Sequence, residues 1–412
     1  RYENNHLSMG HTRLRIIDDN KRSDQPMISK CGRYIIIFNG EIYNYKYLKD
    51  TFNLNNLRTN SDTEILLELF IKYGDKCNKY LKGMFAYAIW DNHSKKLFCS
   101  VDHFGIKPLY YAFINEKFII CSEPKIIASL QENKKPNYKT IYDYLGLGLC
   151  DHSENTFYKE IYRLQGGMQF WIDTYGNLVK EIYWELNDYI SPNQLSYEDA
   201  KHILYEKLST TVKLGTVSDM PVGLCMSGGL DSSSMLEILS GFDGFNKGKN
   251  GITGFTSDFL EEEYSEYKYT KFISDHFSLK LKRSLFSIED FEDYFFISNE
   301  QQGEPQTGLP ILSYSKCINE ARKQGFKVLL DGSGIDEMCG GYLKYNTFTN
   351  LLNIPGSIYS VNNSYLRKGQ DNTSGIDYES LNHKKFQKYT KIPHKLLNNF
   401  DSILKFKMYL DI

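Results

Sequence analysis

Over the first 185 or so positions the apolar residues come in short β-branched or aromatic runs, each closed by turn residues. "RYIIIFNG" from Arg33 to Gly40, "MFAYAIWD" from Met84 to Asp91 and "KLFCSVD" around Leu97 read as strands. "PLYYAFINEKFIICSE" reads as a hairpin that turns at Asn115 and Glu116. One helix interrupts them: "SDTEILLELFIKYG" has Ser61 as its cap, Glu64 three residues on to close a capping box, and Gly74 to end it. The rhythm breaks at "DYISPNQLS", Asp188 to Ser196, and beyond it helices alternate with strands. "YEDAKHILYEKLSTTVKL" sets Ala200, Ile203, Leu204 and Leu208 on one helical face. The strand "VGLCM" then runs into a serine-rich helix start, and "KVLLDGSG" repeats the arrangement. This alternation predicts a doubly wound parallel sheet. Residues 1–190 and 191–412 are thus expected to form two different α/β domains. From Pro355 to about Lys385 the Asn, Ser and Gly content reads as a loop.

Composition narrows the picture. A chain of 412 residues exceeds one ordinary domain, and 41% hydrophobic content suffices for a core in each half. With 49 basic and 51 acidic side chains well mixed, bulk charge gives no reason to expect a nucleic-acid or membrane partner. The eight cysteines are scattered with no C-x-x-C pair, which excludes a zinc knuckle and fits reduced thiols of a cytoplasmic protein. No apolar run approaches the ~18 residues of a membrane helix, and no secretory signal opens the chain. A serine hydrolase is excluded too, because no G-x-S-x-G occurs.

The candidate chemistry begins at "GLCMSGGLDSSSM", Gly223 to Met235. Ligands of open α/β sheets bind at the carboxyl ends of strands. There Gly228 and Gly229 let the backbone approach a phosphate, the next helix aims its amides at it, and Ser227, Ser232 and Ser233 add hydroxyls. Asp231 beside such a cradle makes sense as a ligand of Mg²⁺, which shares phosphate oxygens. "LDGSGIDEMCGGY", Leu330 to Tyr342, offers Asp336 as a second carboxylate. No G-x-x-x-x-G-K-[ST] occurs, so this is not a Walker A loop. Each segment alone also reads as a plain acidic turn; the pair points to a magnesium-bound triphosphate.

Together these two motifs resemble the synthetase domain of the glutamine-hydrolysing asparagine synthetases, which cleave ATP to AMP and pyrophosphate. Five further segments resemble, in order, the class II glutamine amidotransferase domain of the same family: "MGHTRLRIIDDNKRSDQPM", "IIIFNGEIYNYKYL", "SDTEILLELFIKYG", "LKGMFAYAIWD" and "VDHFGIKPLYY". The resemblance implies an N-terminal αββα sandwich of the Ntn type, incomplete here, ahead of the doubly wound synthetase domain. It implies that Arg13, Leu14, Arg15, Ile16, Ile17, Asn39, Gly40, Glu41 and Asp102 bind glutamine, with Asn39 and Gly40 as the oxyanion hole. It implies that Cys225, Ser227, Gly228, Gly229, Asp231, Ser232, Ser233, Ser257, Asp331 and Gly332 bind ATP, with Asp231 and Asp336 on Mg²⁺. Glutamine-derived ammonia would then attack an aspartyl-adenylate.

Three departures qualify this. The family's N-terminal cysteine nucleophile and H-R-G-P-D motif are not in the sequence; Cys31, in a turn, reads as structural. The family continues past Ile412, so a piece of a longer enzyme is the expectation. Ser333 stands where asparagine-making members often carry Glu, which leaves room for another carboxylate acceptor. A non-catalytic nucleotide-binding remnant is the remaining alternative. A homodimer is compatible with the resemblance.

Overall fold

In the computed structural model the long strands of the first half are buried on both faces, which is why they lack a clean polar alternation. The structure describes residues 1–190, 195–242, 245, 251–306 and 308–342. The segment 355–385 expected to be a loop lies outside the described residues. By contacts the chain divides into two units, Arg1–Asp331 and Gly332–Ile412.

In the first unit, a small hairpin of β1 (Tyr2–Glu3) and β2 (Ser8–Met9) precedes a six-stranded antiparallel sheet. Its members are β3 (Met27–Ile28), β4 (Tyr34–Ile42), β5 (Gly83–Asp91), β6 (Lys96–Val101), β10 (Met168–Asp173) and β11 (Leu178–Ile182), in the order β11-β10-β6-β5-β4-β3. Ile36, Phe38, Phe85, Tyr87, Ile89 and Phe98 face helices α1 (Tyr45–Thr51) and α2 (Asp62–Tyr73). The alternate residues Ile35, Ala86, Ala88, Trp90, Cys99 and Val101 face a second sheet. That sheet holds β7 (Tyr110–Ile114), β8 (Lys117–Cys121) and β9 (Tyr162–Arg163). The far side of β7 presents Tyr110 and Ala112 to Ile127 and Ala128 of α3 (Pro124–Ser129). Helix, sheet, sheet, helix is the αββα stacking expected from the sequence. Helix α4 (Tyr138–Leu147) follows.

The hairpin turn falls at Asn115 and Glu116, both with positive φ (47° and 63°), as a tight two-residue turn demands. Ser61 caps α2 by accepting from the N–H of Glu64. The expected box does not close, however. Glu64 is buried and turns instead to the N–H groups of Arg58 and Thr59, the Thr59 hydroxyl and the Arg58 guanidinium. The bend before the helix offers it four donors where the box offers one.

Past the seam, α5 (Tyr197–Gly215) leads to a four-stranded parallel sheet of order β14-β13-β12-β15. Its strands are β12 (Val222–Cys225), β13 (Thr253–Phe259), β14 (Lys280–Phe286) and β15 (Val328–Leu330). Helices α5, α6 (Leu230–Ser240) and α7 (Tyr267–His276) cover one face through Val212, Leu236, Leu239 and Ile273. Helices α8 (Ile288–Gln302) and α9 (Pro310–Lys323) cover the other through Tyr294, Leu312, Cys317 and Ala321. The sheet is doubly wound, as the sequence predicts. The helical face expected on α5 is wrong in its first half: Ala200, Ile203 and Leu204 are exposed, while Leu208 and Val212 do the packing. The partner α6 has 11 residues against the 19 of α5 and cannot cover its full length. In the second unit, α10 (Ile335–Cys339) is the described helix.

Candidate functional site

The first half closes around a cavity of about 240 Å³ at the open edge of β4. Near its end β4 runs so close to β5 that side chains are excluded. A Cβ on Gly40 would lie 2.1 Å from the carbonyl oxygen of Met84, and one on Gly83 would lie 2.0 Å from that of Glu41. The N–H groups of Phe38, Gly40 and Ile42 share the edge of β4 that faces away from β5. Phe38 donates to Gln25 Oε1 (2.6 Å) and Ile42 to Asp62 Oδ2 (3.0 Å), so both are satisfied. The N–H of Gly40 between them is left to the cavity. Asn39 and Glu41 also line it, and neither side chain hydrogen-bonds to the described residues.

Of the nine residues expected to bind glutamine, seven meet on this wall: Arg13, Leu14, Ile16, Ile17, Asn39, Gly40 and Glu41. Arg13 is already engaged, donating to the carbonyls of Ile17, Asp18 and Asn20 and to Asp24. Arg15 points away to Asp19 and Asp24. Asp102 stands behind the wall, where its carboxylate accepts the N–H groups of Phe85, Phe104, Ile106 and Lys107 at 3.0 to 3.1 Å. It thereby shapes the loop that brings Lys107 to the cavity. Cys31 is exposed in the turn before β4 and off the cavity.

Several lining residues were not foreseen: His11, Gln25, Asp62, Lys107, and Lys327 to Leu329 from the far end of the unit. Burial pushes the Glu41 carboxyl up to about 7, helped by Asp62 and opposed by Lys107. Burial also pushes Asp62 up to about 6, against the N–H groups of Ile42 and Thr63 and the charge of Arg13. His11 is lowered by burial, and its Nδ1 is buried without a partner among the described residues.

At the other end of the parallel sheet, the chain leaves β12 through Met226 to Gly229. Gly228 has φ +78°, and a Cβ there would lie 2.8 Å from the N–H nitrogen of Thr270. Ser227 and Ser232 bond each other at 3.2 Å, and Ser227 Oγ accepts the Gly229 N–H. Gly229 caps α6 with no side-chain hydrogen bond, and a helix start directs its amides toward whatever lies before it. Around this turn the hydroxyls of Ser233, Ser257 and Thr270 are buried with no partner among the described residues. A cradle that excludes a Cβ, set among orphaned hydroxyls, fits a phosphate group.

Strand β15 pairs with β12 on the side opposite β13, so their carboxyl ends flank a point where strand order reverses. Asp331 follows β15 directly. Tyr314, on α9, donates to Asp331 and lies 3.6 Å from Cys225 Sγ, joining two expected nucleotide residues through one that the sequence gave no sign of. Burial is the main cause pushing the Cys225 thiol up to about 11. Gly332 and Asp336 belong to the second unit; there Asp336 Oδ1 lies 1.9 Å from where a Cβ on Gly341 would be. Among the described residues no three His, Cys, Asp or Glu side chains converge as a metal site. No helix among them is long and apolar enough to cross a membrane.

A family described as glutamine amidotransferase domain matches residues 1–184, and one described as asparagine synthase matches residues 204–401. A putative glutamine-hydrolysing asparagine synthetase of Methanocaldococcus jannaschii is 33% identical over 84% of this chain and 68% of its own length. Asparagine synthetase 1 of Bacillus subtilis is 28% identical, over 84% of this chain and 53% of its length. Amidase chry2 of Gibberella zeae is 27% identical, over 82% and 52%. The chain thus spans about half to two thirds of the relatives named. On this evidence it belongs to the glutamine-hydrolysing asparagine synthetase family, with an amidotransferase domain followed by an asparagine synthase domain.

Proposed function

We propose that the chain serves the making of asparagine: glutamine binds at the β4 cavity, where a cysteine nucleophile that the sequence does not contain would be needed to cleave it, and the ammonia attacks an aspartyl-adenylate formed from aspartate and ATP, with release of AMP and pyrophosphate. The observation that carries this reading is the position of β15. Lys327, Val328 and Leu329 wall the glutamine cavity, and Asp331 directly follows the same strand, joined to Cys225 through Tyr314. At ~3.3 Å per residue, Val328 and Asp331 are only about 10 Å apart, a short path for ammonia.

In the cavity, Arg13, Leu14, Ile16 and Ile17 hold the amino-acid end and Glu41 takes the α-ammonium. Arg15 and Asp102 act from behind, fixing the loops that carry these residues. The Asn39 amide and the Gly40 N–H receive the oxyanion, and loss of one such donor costs about 3–4 kcal/mol of transition-state stabilisation. At the other site, Ser227, Gly228, Gly229, Ser232 and Ser233 grip the pyrophosphate end of ATP, with Cys225, Ser257, Asp331 and Gly332 beside the nucleoside. Asp231 and Asp336 are the residues to hold Mg²⁺, which would neutralise phosphate charge as the leaving pyrophosphate forms.

Ser333, together with the likeness to an amidase, favours a second reading in which another carboxylate is activated. One assay separates the two: pyrophosphate release from ATP and Mg²⁺ by the full-length gene product, screened across carboxylic acids. Aspartate-dependent release is expected. Release that ignores aspartate and responds to another acid overturns aspartate as the acceptor.

A further inference from the structure

The loop that brings Arg13, Leu14, Ile16 and Ile17 to the glutamine cavity is held from two sides. From within, Arg13 donates to the carbonyls of Ile17, Asp18 and Asn20. The Asp18 carboxylate accepts the N–H groups of Asn20 and Asn60 and the Ser23 hydroxyl. Three further main-chain groups of the loop go to residues at least 201 positions along the chain. The Asp18 N–H donates to Asp219 Oδ2 at 2.8 Å, and the Ile16 carbonyl accepts the Asp219 N–H at 3.1 Å. The Arg15 carbonyl accepts the Lys327 ammonium at 3.1 Å. Asp18 itself sits at φ 56°, a left-handed conformation uncommon outside glycine, so the loop turns sharply where Asp219 grips it.

Both outer residues lie within the stretch that matches the asparagine synthase family. Asp219 stands three positions before β12 and Lys327 one position before β15, and these strands pair Val222 with Val328. The grip therefore comes from the amino ends of neighbouring strands, opposite to the phosphate turn. Val217, also ahead of β12, packs against the apolar cluster that contains Ile17 and Tyr45. An ordinary surface seam would join side chain to side chain. Here the groups taken are the main chain of residues 15, 16 and 18, so a shift of the loop carries Arg13 and Ile17 with it. Asp219 is exposed and off the cavity, and reaches glutamine only through the loop, whereas Lys327 also lines the wall.

We propose that Asp219 and Lys327 are positioning residues of the glutamine site: from the amino ends of β12 and β15 they fix the main chain of Arg15 to Asp18, and through it the cavity residues Arg13, Leu14, Ile16 and Ile17. A loop fixed before the ligand arrives spares binding the cost of ordering it. The second half of the chain thus supplies part of the frame on which the first half binds its ligand. The inference deepens the glutamine reading and rests on it.

Titration calorimetry of glutamine into the 412-residue chain tests this, with wild type, Asp219→Ala, Asp219→Asn and Lys327→Met compared. Each sample is also titrated with ATP and Mg²⁺ and unfolded by heat. Asp219→Ala should weaken glutamine binding about tenfold, because the Asp18 N–H loses a charged acceptor. Asp219→Asn should restore binding to within about threefold of wild type, since its amide oxygen still accepts that N–H. Lys327→Met should weaken binding by about three- to tenfold. ATP binding should be unchanged in all three, and the unfolding temperature should stay within about 2 °C of wild type. Wild-type glutamine affinity in Asp219→Ala overturns the inference and leaves the glutamine reading intact. A loss as large in Asp219→Asn, or a parallel loss of ATP binding, also overturns it. No glutamine binding by the wild type overturns both. Should Asp219→Ala fail to fold, undiminished binding by Lys327→Met overturns the inference.

Discussion

Replacing Glu41 by Gln should stabilise the protein, and by an amount that grows with pH. The carboxyl is held at about 7 in the folded chain against 4.5 for an unperturbed group. A carboxylate raised in this way favours folding fully only below its unfolded value, and that advantage is lost as pH rises through the folded value. Keeping the charged form buried costs the native state about 1 kcal/mol at pH 5 and about 3 kcal/mol at pH 8. Glu41→Gln removes the titration, so its stability relative to wild type should climb by about 2 kcal/mol between those two pH values. Effects that do not depend on pH, such as burial of the new amide, cancel in that comparison. Urea unfolding followed by tryptophan fluorescence suits the test, because Trp90, Trp171 and Trp184 all lie in the first half. A stability difference that stays the same at pH 5 and pH 8 would show that the Glu41 carboxyl is not raised by burial.

Other substitutions probe the frame around the site. Gly40→Ala places a Cβ 2.1 Å from the Met84 oxygen at φ +151°, so β4 and β5 must part. A loss of at least about 3 kcal/mol in stability, together with loss of glutamine binding, is expected in urea unfolding and calorimetry. Tyr87→Phe removes the hydroxyl that donates to buried Asn78 Oδ1 at 2.6 Å. Leaving that acceptor unpaired should cost about 1–3 kcal/mol with the fold unchanged by circular dichroism.

What could be read in advance was what is local. The Asn115–Glu116 turn, the Ser61 cap and the alternation behind the parallel sheet are set by residues a few positions apart. The tight turn at Gly228, after β12, was legible for the same reason. The close approach of β4 and β5 at Gly40 and Gly83 was not, since the two glycines lie 43 residues apart and neither signals the other. Asp62 was visible only as a residue of a capped helix start; its place in the cavity depends on how α2 docks against β4. Tyr314 and Lys327 reach their sites through the return of the chain to β15, a strand order that no periodicity encodes. The exposed first turns of α5 make the same point in reverse, because helical spacing shows which face could pack but not how far a partner extends.

The central claim is that a magnesium-bound nucleotide docks where β12 hands over to α6. The direct test is calorimetric titration of ATP into the 412-residue chain, with and without Mg²⁺, beside the Gly228→Val variant. Mg²⁺-dependent binding by the wild type is expected, weakened at least about tenfold in the variant because the new side chain fills the cradle against Thr270, with glutamine binding unchanged. Absence of ATP binding by the wild type, or equal binding by Gly228→Val, would contradict it.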